Sequence, residues 1–310
     1  KAAPIHPEGN IIRHLVIKHG DPDAIGNIIV EGEYEVGMQD QAFLGTESGI
    51  AFPSADGGVD LHISTQWLHS DKDQVASALN LPDDLVRVTL AGVGGAFGGR
   101  EDVSMHVHLC MLAMHTGRPV KMVYDRNESF LGHVHRHPAK IWFRHSADES
   151  GLLVKVEAKV VLDGGAYAST TSAVLANACC FSVGPYSVPN AVIEGWGVRT
   201  NNPPCGAMRG FGNVQTCFAA EAQMDKLAKA LSLDPVEFRL LNALETGDIL
   251  ITGQEITGTA PVKEVLTSLA EYPLPEPIKS GLLDLPGGTG RTTDKSHVKR
   301  GVGYAASIKN

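Results

Sequence analysis

Two glycine-rich stretches carry the residues that could do chemistry in this chain. The first, AGVGGAFGGRE at 91–101, holds five glycines, one phenylalanine and an Arg-Glu pair. The second, PPCGAMRGFGNVQ at 203–215, combines glycines with Arg209 and Phe211. Glycine backbone lets amide N–H groups approach a ligand closely, and a helix N-terminus behind such a loop favours an anion. Both loops are predicted to lead into helices, so together they could hold one extended anionic cofactor.

Neither loop is a standard nucleotide-binding motif. The dinucleotide fingerprint G-x-G-x-x-G fits no register of the first loop. The phosphate-loop pattern G-x-x-x-x-G-K-[ST] comes closer from Gly94, but Arg100 and Glu101 stand where the lysine and the metal-binding hydroxyl belong. A carboxylate at that position would repel a γ-phosphate. The loop residues alone therefore leave open a tight turn without ligand and a nucleotide-binding or interaction module.

Composition limits the class of protein. With 310 residues and 43% hydrophobic content, the chain is expected to form one or two globular domains. A formal net charge of -9 argues against a nucleic-acid partner. No apolar run reaches the roughly 18 residues of a membrane span and no secretory signal is visible, so no membrane partner and a cytoplasmic location are expected. The five cysteines form no C-x-x-C pair and are predicted to be reduced, mostly buried thiols.

Hydrophobic periodicity indicates the elements that position the two loops. Residues 1–25 are predicted to be a tail or linker, with regular structure starting after them. The pattern predicts strands at 26–37, 59–65, 85–90 and 118–124, a hairpin from KIWFRH across the turn ADESG into LLVKVEAKVVLDGG, and a further strand beginning at Arg300. It predicts helices starting at Ser70, over 102–116, over 213–231, and from Asp234-Pro235. The first glycine loop therefore lies between a strand and a helix.

A series of short motifs resembles a known family. In chain order these are STQW at 64–67, GGAFGGRE at 94–101, VYDRNE at 123–128, RHP at 136–138, DGGAY at 163–167, GPYSVPN at 184–190 and AMRGFG at 207–212. On these motifs, between about Ile29 and Asn242, the chain resembles the molybdenum-binding subunit of the xanthine dehydrogenase and aldehyde oxidase family of molybdenum hydroxylases.

The resemblance implies a fold and a division into domains. It implies an α+β fold of mixed β-sheets with flanking helices. Residues 1–25 would then be a tail or linker from a preceding domain. Residues 26–272 would be the first molybdenum-cofactor-binding domain, with two subdomains that divide near residue 125. Residues 273–310 would be a linker and the start of the second such domain.

The resemblance also implies the ligands of the two loops. It implies molybdopterin in the cytosine dinucleotide form, with the molybdenum held through the pterin and no direct protein ligand. Cofactor contacts would come from Gln66, Gly95, Phe97, Gly98 and Arg209. Substrate contacts would come from Glu101, which resembles the glutamate that hydrogen-bonds purines, from Asn177 and from Phe211. The implied partners are iron-sulfur [2Fe-2S] and FAD modules, the second molybdenum-binding domain of the same subunit, and a higher oligomer.

Two departures from the family pattern affect the expected function. Asn177 stands where purine-oxidising members carry an arginine, whereas Glu101 favours a purine such as xanthine or hypoxanthine, oxidised with water as the oxygen source. An aldehyde-oxidising member is the alternative within the family. The family's general base, a glutamate in the second domain, has no match in this chain, so the chain alone is expected to be inactive. A scaffold that does not retain the cofactor without the missing half also stays open.

Three histidines alternate in GHVHRHP, at His133, His135 and His137. On a strand, alternate residues face the same side and could be metal ligands. No fourth ligand with matching spacing lies nearby in the sequence, and the resemblance places this segment away from the molybdenum. We therefore do not expect these histidines to form a metal site.

Overall fold

The computed structural model describes residues 4, 6, 7, 9–274 and 301–309, and the backbone of 282–284 and 292–294. In chain order the elements are β1 (Ile11–His19), β2 (Ile28–Val36), β3 (Ser48–Pro53), β4 (Val59–Ile63), α1 (Leu68–Leu79), a 3-10 turn (Asp83–Leu85), β5 (Val86–Leu90), α2 (His106–Thr116), β6 (Val120–Val123), α3 (Arg126–Gly132), β7 (Ala139–Ala147), β8 (Leu153–Asp163), α4 (Thr171–Cys180), β9 (Ala191–Val198), α5 (Asn213–Leu231), α6 (Pro235–Leu241), α7 (Val262–Ala270), β10 (Leu282–Asp284) and β11 (Thr292–Asp294).

The larger sheet has five strands in the order β1-β9-β8-β7-β2. Its strands pair antiparallel except for β8 and β9, which are parallel. Alternate side chains of β8 and β9 are buried, as expected for strands with one face against helices. That face packs on α4 and α5 through apolar residues such as Val160, Ile193, Leu175 and Met224. The resulting core holds α4 and α5 at the positions from which they reach the second glycine loop.

The smaller sheet has four strands in the order β5-β4-β3-β6. Strands β4 and β5 run parallel, joined by the helix α1. A second apolar core forms where α1 and α2 cover this sheet, with Leu61, Val75 and Leu109 fully buried. The first glycine loop leaves the end of β5 and enters α2, so this core positions it.

Mixed sheets with flanking helices confirm the predicted α+β class. The helix 213–231 and the Asp234-Pro235 cap are confirmed, and Asp234 accepts hydrogen bonds from the amides of Val236 and Glu237. The hairpin is confirmed as β7 and β8. The two earliest strands belong to the larger sheet although they precede the smaller one in sequence, so a single cut near residue 125 does not separate the two sheets. The domain boundaries otherwise stay predictions.

The expectation that regular structure begins after residue 25 is wrong. Residues Ile11–His19 form β1, an edge strand paired along its length with β9. The segment IIRHLVIKH alternates sides and is rich in β-branched residues, which is the pattern of a half-buried strand. The turn residues on either side of it concealed that signal.

Three other predicted boundaries are wrong. Helix α1 begins at Leu68 rather than Ser70, because the Thr65 hydroxyl accepts the Trp67 amide at 2.9 Å and ends the preceding segment. Helix α2 begins at His106 rather than 102, and the Asp102 carboxylate instead accepts the Ser169 hydroxyl at 2.7 Å. Residues 301–309 contain no strand, and Arg300 lies outside the described residues.

The segment 301–309 is held against α5 and α6 by side-chain hydrogen bonds. Asn213 donates to the Ser307 hydroxyl at 3.0 Å and to the Ile308 carbonyl at 2.5 Å. The fully buried Arg239 donates to the Tyr304 carbonyl at 3.0 Å. These bonds bring Lys309 to the same region as the two glycine loops.

All five cysteines are free, and three of them, Cys110, Cys179 and Cys205, are buried. In the described part of the chain, no helix combines the length and the apolar character that crossing a bilayer requires.

Candidate functional site

The two glycine loops and α4 enclose a cleft of about 950 Å³. Seven of the eight site residues predicted from the sequence line it: Gln66, Phe97, Gly98, Glu101, Asn177, Arg209 and Phe211. The eighth, Gly95, is outside this lining. A Cβ at Gly95 would lie 3.1 Å from the Cβ of Phe43, so this glycine lets the loop pack on Phe43 below the cleft.

The first loop takes a backbone path that requires glycine at one position. Phe97 and Gly98 both have positive φ, 53° and 97°. A Cβ at Gly98 would lie 2.7 Å from the backbone carbonyl of Ala207, closer than any side chain allows. Phe97 is thereby turned outward, with 49% of its surface exposed at the cleft. The glycine therefore serves the close approach of the two loops and the presentation of Phe97.

The second loop has three consecutive residues in the left-handed region. Gly210, Phe211 and Gly212 have φ values of 90°, 46° and 97°. A Cβ at Gly212 would lie 2.2 Å from the Val174 carbonyl oxygen of α4. This path ends at Asn213, the first residue of α5. The second loop therefore packs against α4 at Val174 and leads directly into α5.

One backbone hydrogen bond joins the two loops, and side chains from the segments before β3 and before β7 bind the second loop. The Arg209 amide donates to the Phe97 carbonyl at 2.8 Å. Gln41 donates from its side chain to the Ala207 carbonyl at 2.7 Å, and Arg136 donates to the Arg209 carbonyl at 2.8 Å. The loops therefore form one rigid wall of the cleft.

Gln66 fastens the first loop to the end of β4. Its Oε1 accepts the Gly98 amide at 3.0 Å and the Arg100 amide at 3.4 Å. Because amide N–H donors require an acceptor, these bonds fix the side chain so that Nε2 is the group left to donate into the cleft. Two of the residues predicted to meet the cofactor, Gln66 and Gly98, thus bond to one another.

Asn177 holds the second loop rather than standing free in the cleft. Its Nδ2 donates to the Phe211 carbonyl at 2.8 Å and to the Gly210 carbonyl at 3.3 Å. Phe211 itself is half-buried and packs against the large core. The sequence could not show this use of Asn177, because the contact spans α4 and a loop more than thirty residues away. The substrate roles of both residues stay predictions.

Glu101 lines the cleft beside a second carboxylate. Burial, and then the neighbouring Asp102, raise the pKa of Glu101, whereas Lys309 acts in the opposite direction. Burial likewise raises the pKa of Asp102, although its hydrogen bond from Ser169 opposes this. Glu101 therefore holds its proton to a higher pH than an exposed glutamate does.

Two cations of the cleft were missed by the sequence analysis. Arg13, on β1, donates to the Ser172 carbonyl at 2.9 Å and to its hydroxyl at 3.3 Å, and lines the cleft. Lys309, from the segment 301–309, also lines the cleft. Reading IIRHLVIKH as a strand would have brought Arg13 into consideration; no local signal marked Lys309. With Arg209, they give the cleft three positive groups against Glu101, which favours an anionic ligand.

The residues present fit the cofactor that the motifs implied. Gly98 and Gly212 remove side chains where backbone must come close, Gln66 offers a donor, and the cations suit phosphate. The cleft also has an exposed aromatic, Phe97, beside the loop backbone. This donor set suits a pterin with a phosphate-bearing tail.

Comparison with known proteins identifies similar chains. A family model described as molybdopterin cofactor-binding domain matches residues 5–243. The nicotinate dehydrogenase large molybdopterin subunit of Eubacterium barkeri is 38% identical over 270 residues, which cover 86% of this chain and 64% of the relative. The xanthine dehydrogenase molybdenum-binding subunit of Escherichia coli O157:H7 is 32% identical over 262 residues, covering 82% of this chain and 35% of the relative.

The fold has a close match among solved structures. The aldehyde oxidoreductase of Desulfovibrio gigas superposes with a TM-score of 0.82 at 28% identity, over 87% of this chain and 30% of that one. The chain therefore spans less than two thirds of each of these three proteins.

Proposed function

This chain belongs to the family of molybdopterin cofactor-binding domains, in the group of xanthine dehydrogenase-type and aldehyde oxidoreductase-type oxidoreductases, and we propose that its cleft binds molybdopterin for the hydroxylation of an N-heterocycle. The oxygen comes from water, and the substrate is a purine such as xanthine or hypoxanthine. The observation that carries the proposal is that Gln66, Phe97 and Arg209 meet at the cleft. The Gly98 amide donates to Gln66, and the Arg209 amide donates to the Phe97 carbonyl, so both glycine loops reach the cleft together.

The cofactor would be held by groups that are already fixed. Gln66 would donate from Nε2 to an oxygen of the bound group, since its Oε1 is occupied by the first loop. The backbone at Gly98 would approach it without a side chain in the way. Arg13 and Arg209 support a phosphate-bearing form of the pterin, for which we propose the cytosine dinucleotide. When bound, this group supplies the two-electron oxidation of the substrate carbon.

Glu101 is proposed to orient the heterocycle. From its place in the cleft lining, the ionised carboxylate would accept from a ring N–H, and the protonated form would donate to a ring nitrogen. Phe97, exposed beside it, would contact the flat face of the ring. Phe211 is proposed to pack its ring edge against the same heterocycle. The general base is proposed to come from residues outside this chain, as are the second molybdenum-binding domain and the [2Fe-2S] and FAD partners.

Turnover with a substrate panel tests this proposal. The intact enzyme that contains this chain should oxidise xanthine or hypoxanthine with a dye as electron acceptor. Glu101→Gln should lower kcat/KM for the purine by roughly 10- to 100-fold, the range for loss of a hydrogen bond involving a charged group. It should leave an aldehyde unaffected. Oxidation of benzaldehyde with no purine turnover would contradict the proposal and favour the aldehyde-oxidising alternative.

A second candidate substrate is an N-heterocycle that carries a carboxylate. Two observations favour it: Arg13 and Lys309 add positive charge to the cleft, and Asn177 is occupied by the second loop instead of replacing the purine-binding arginine. The Eubacterium barkeri relative is named for nicotinate, which is such a compound. In the same panel, Lys309→Gln should raise KM for nicotinate and leave KM for xanthine unchanged if this candidate is right.

A further inference from the structure

Three ligating side chains meet outside the cleft, at Asp40, His133 and His135. The Nε2 atoms of His133 and His135 each lie 3.2 Å from Oδ2 of Asp40. One ligand atom from each of the three residues lies within 4.8 Å of the others. The rings of His133 and His135 are stacked, with centroids 5.3 Å apart. His137, the third histidine of the motif, is turned away and bonds to the Thr171 hydroxyl at 2.8 Å.

The spacing of these atoms matches the ligands of one metal ion. In a tetrahedral zinc site with bonds of about 2.0–2.1 Å, neighbouring ligand atoms are about 3.3–3.4 Å apart. Oδ2 of Asp40 is buried, and within the described part of the chain it has no hydrogen-bond partner of acceptable geometry, although two ring nitrogens lie beside it. A hydrogen bond would require the oxygen along a ring N–H direction. When two side chains bind the same metal ion, the ion lies along the lone-pair direction of the ring nitrogen. The carboxylate oxygen then lies to one side of that direction.

A second carboxylate lies beside His133, although neither its oxygens nor Nδ1 of His133 has a hydrogen-bond partner of acceptable geometry in the described part of the chain. Oε1 of Glu47 lies 3.0 Å from Nδ1 of His133. In the tautomer with its proton on Nδ1, His133 would have a lone pair on Nε2 for an ion, whereas without an ion Nε2 can donate to the Gln41 side-chain oxygen. Carboxylates commonly hold metal-bound histidines in this way, on the ring nitrogen that the metal does not use. Glu47 and His133 are both buried, so this pairing is not a surface contact.

Neutral oxygens complete the surroundings of the three residues. The side-chain oxygen of Gln41 lies 3.2 Å from Nε2 of His133, and the Phe130 carbonyl lies 2.9 Å from Nε2 of His135. If Nε2 of His135 binds an ion it carries no proton, so it no longer donates a hydrogen bond to the Phe130 carbonyl. The Asp40 side chain keeps 20% of its surface exposed, which gives an ion a way in.

We propose that Asp40, His133 and His135 bind a divalent first-row transition ion such as Zn²⁺, with Glu47 as the residue that positions His133. Two imidazoles and one carboxylate form a ligand set that such ions prefer. The site is structural rather than catalytic, because its residues do not line the cleft. It is linked to both loops: Gln41, next to Asp40, bonds to Ala207 of the second loop, and Phe43 packs against both His133 and Arg100 of the first.

The experiment is zinc analysis of the purified protein after chelation and reloading with Zn²⁺, together with Co²⁺ titration followed by its visible absorption. The wild type should bind about one Zn²⁺ at this site and show Co²⁺ bands of nitrogen and oxygen ligation. His133→Gln and His135→Gln should each lose the ion, and Glu47→Gln should bind it roughly 10- to 100-fold more weakly. His69→Gln, an exposed histidine on α1, should bind as the wild type does.

Circular dichroism and a thermal melt of each variant exclude loss of the ion through unfolding. Wild-type protein that takes up no Zn²⁺ would overturn the proposal. Equal Zn²⁺ binding and unchanged Co²⁺ bands in folded His133→Gln and His135→Gln proteins would also overturn it. Zn²⁺ content and Co²⁺ absorption do not depend on molybdenum content. Failure of the zinc-site proposal can therefore be distinguished from failure of the proposed hydroxylase function.

Discussion

The amide of Arg209 donates a 2.8 Å hydrogen bond to the carbonyl oxygen of Phe97. These residues belong to two glycine-rich loops that are far apart in the sequence and leave different cores of the fold, one against the smaller sheet and one against α4 and α5. The bond is possible because Gly98, the next residue, has no side chain to hold the loops apart. A single wall of a cleft is thus assembled from both halves of the structure.

Gly98→Ala should destabilise this junction. Gly98 has a φ of 97°, and a Cβ there would meet the Ala207 backbone at 2.7 Å. Backbone strain of this kind costs about 1–3 kcal/mol, and the clash adds to it. Urea denaturation should show that loss in the free energy of unfolding. The matched control is Gly92→Ala in the same loop, where nothing lies within 4 Å of the added Cβ. Equal stability of the two variants would contradict the close-packed junction.

Two substitutions of Gln66 should separate its contribution to stability from its contribution to turnover. Gln66→Glu keeps the Oε1 acceptor for the amides of Gly98 and Arg100 but removes the Nε2 donor. It should retain wild-type stability and lose turnover. Gln66→Ala should lose turnover and also about 1 kcal/mol of stability, the usual net value of a hydrogen bond. Thermal melts and steady-state kinetics on both variants check this. A Gln66→Glu enzyme with full activity would show that the donor has no part in the reaction.

The sequence was sufficient to predict seven residues of the cleft, but neither Arg13 and Lys309 nor the contacts among the seven. Motif order placed Gln66, Phe97 and Arg209 at one site, and all three line the cleft. Their mutual bonds depend on how two loops meet in three dimensions, and local patterns carry no information about that. Asn177 shows the same limit: motif alignment assigned it to substrate, whereas its side chain bonds to the backbone of the second loop.

Arg239→Met should be among the most damaging changes in the chain. Arg239 is fully buried and pairs with Glu221 at 2.8 Å. Its removal leaves the buried Glu221 carboxylate without its cationic partner and, among the described residues, with only the Tyr186 hydroxyl as donor, at 2.7 Å. Breaking a buried ion pair in this way costs about 3–5 kcal/mol. The double variant Arg239→Met with Glu221→Gln should recover part of that loss, because no charge stays buried. Chemical denaturation of single and double variants measures it. A double variant less stable than the single one would contradict the role of the ion pair.

His145 should make the protein sensitive to acid. Complete burial lowers the pKa of His145 from its ordinary 6.5 to about 3. The unfolded chain therefore takes up a proton at His145 at a pH where the folded one does not, and stability present above pH 6.5 is lost as the pH falls toward about 3. The loss approaches about 1.4 kcal/mol per pH unit within that window.

Denaturation at several pH values checks the contribution of His145. His145→Leu should reduce the slope of stability against pH between about pH 6.5 and pH 4. Val160→Ala, at a buried residue of β8 that does not titrate, should lower stability by a similar amount at every pH. An unchanged slope in His145→Leu would assign the acid sensitivity to other groups.

Arg13 and Lys309 were not predicted as site residues because the sequence does not reveal the elements that position them. Arg13 was overlooked because short turn-rich segments flank its strand, so the whole region up to residue 25 looked like a tail. Lys309 depends on hydrogen bonds from Asn213 and Arg239, which reach the segment 301–309 from α5 and α6. His133 and His135 were judged to lack a further ligand because Asp40 lies far from them in sequence and meets them only in the fold.

Molybdenum and pterin analysis of the purified enzyme decides whether the two glycine loops hold the cofactor. We expect about one molybdenum and one pterin for each copy of this chain in the wild type. We expect the same content in Gly92→Ala and a loss of both in Gly98→Ala. A wild-type protein that is folded, assembled with its partners and free of molybdenum and pterin would contradict the proposed function, and would leave the two glycine loops as a structural junction or an interaction module.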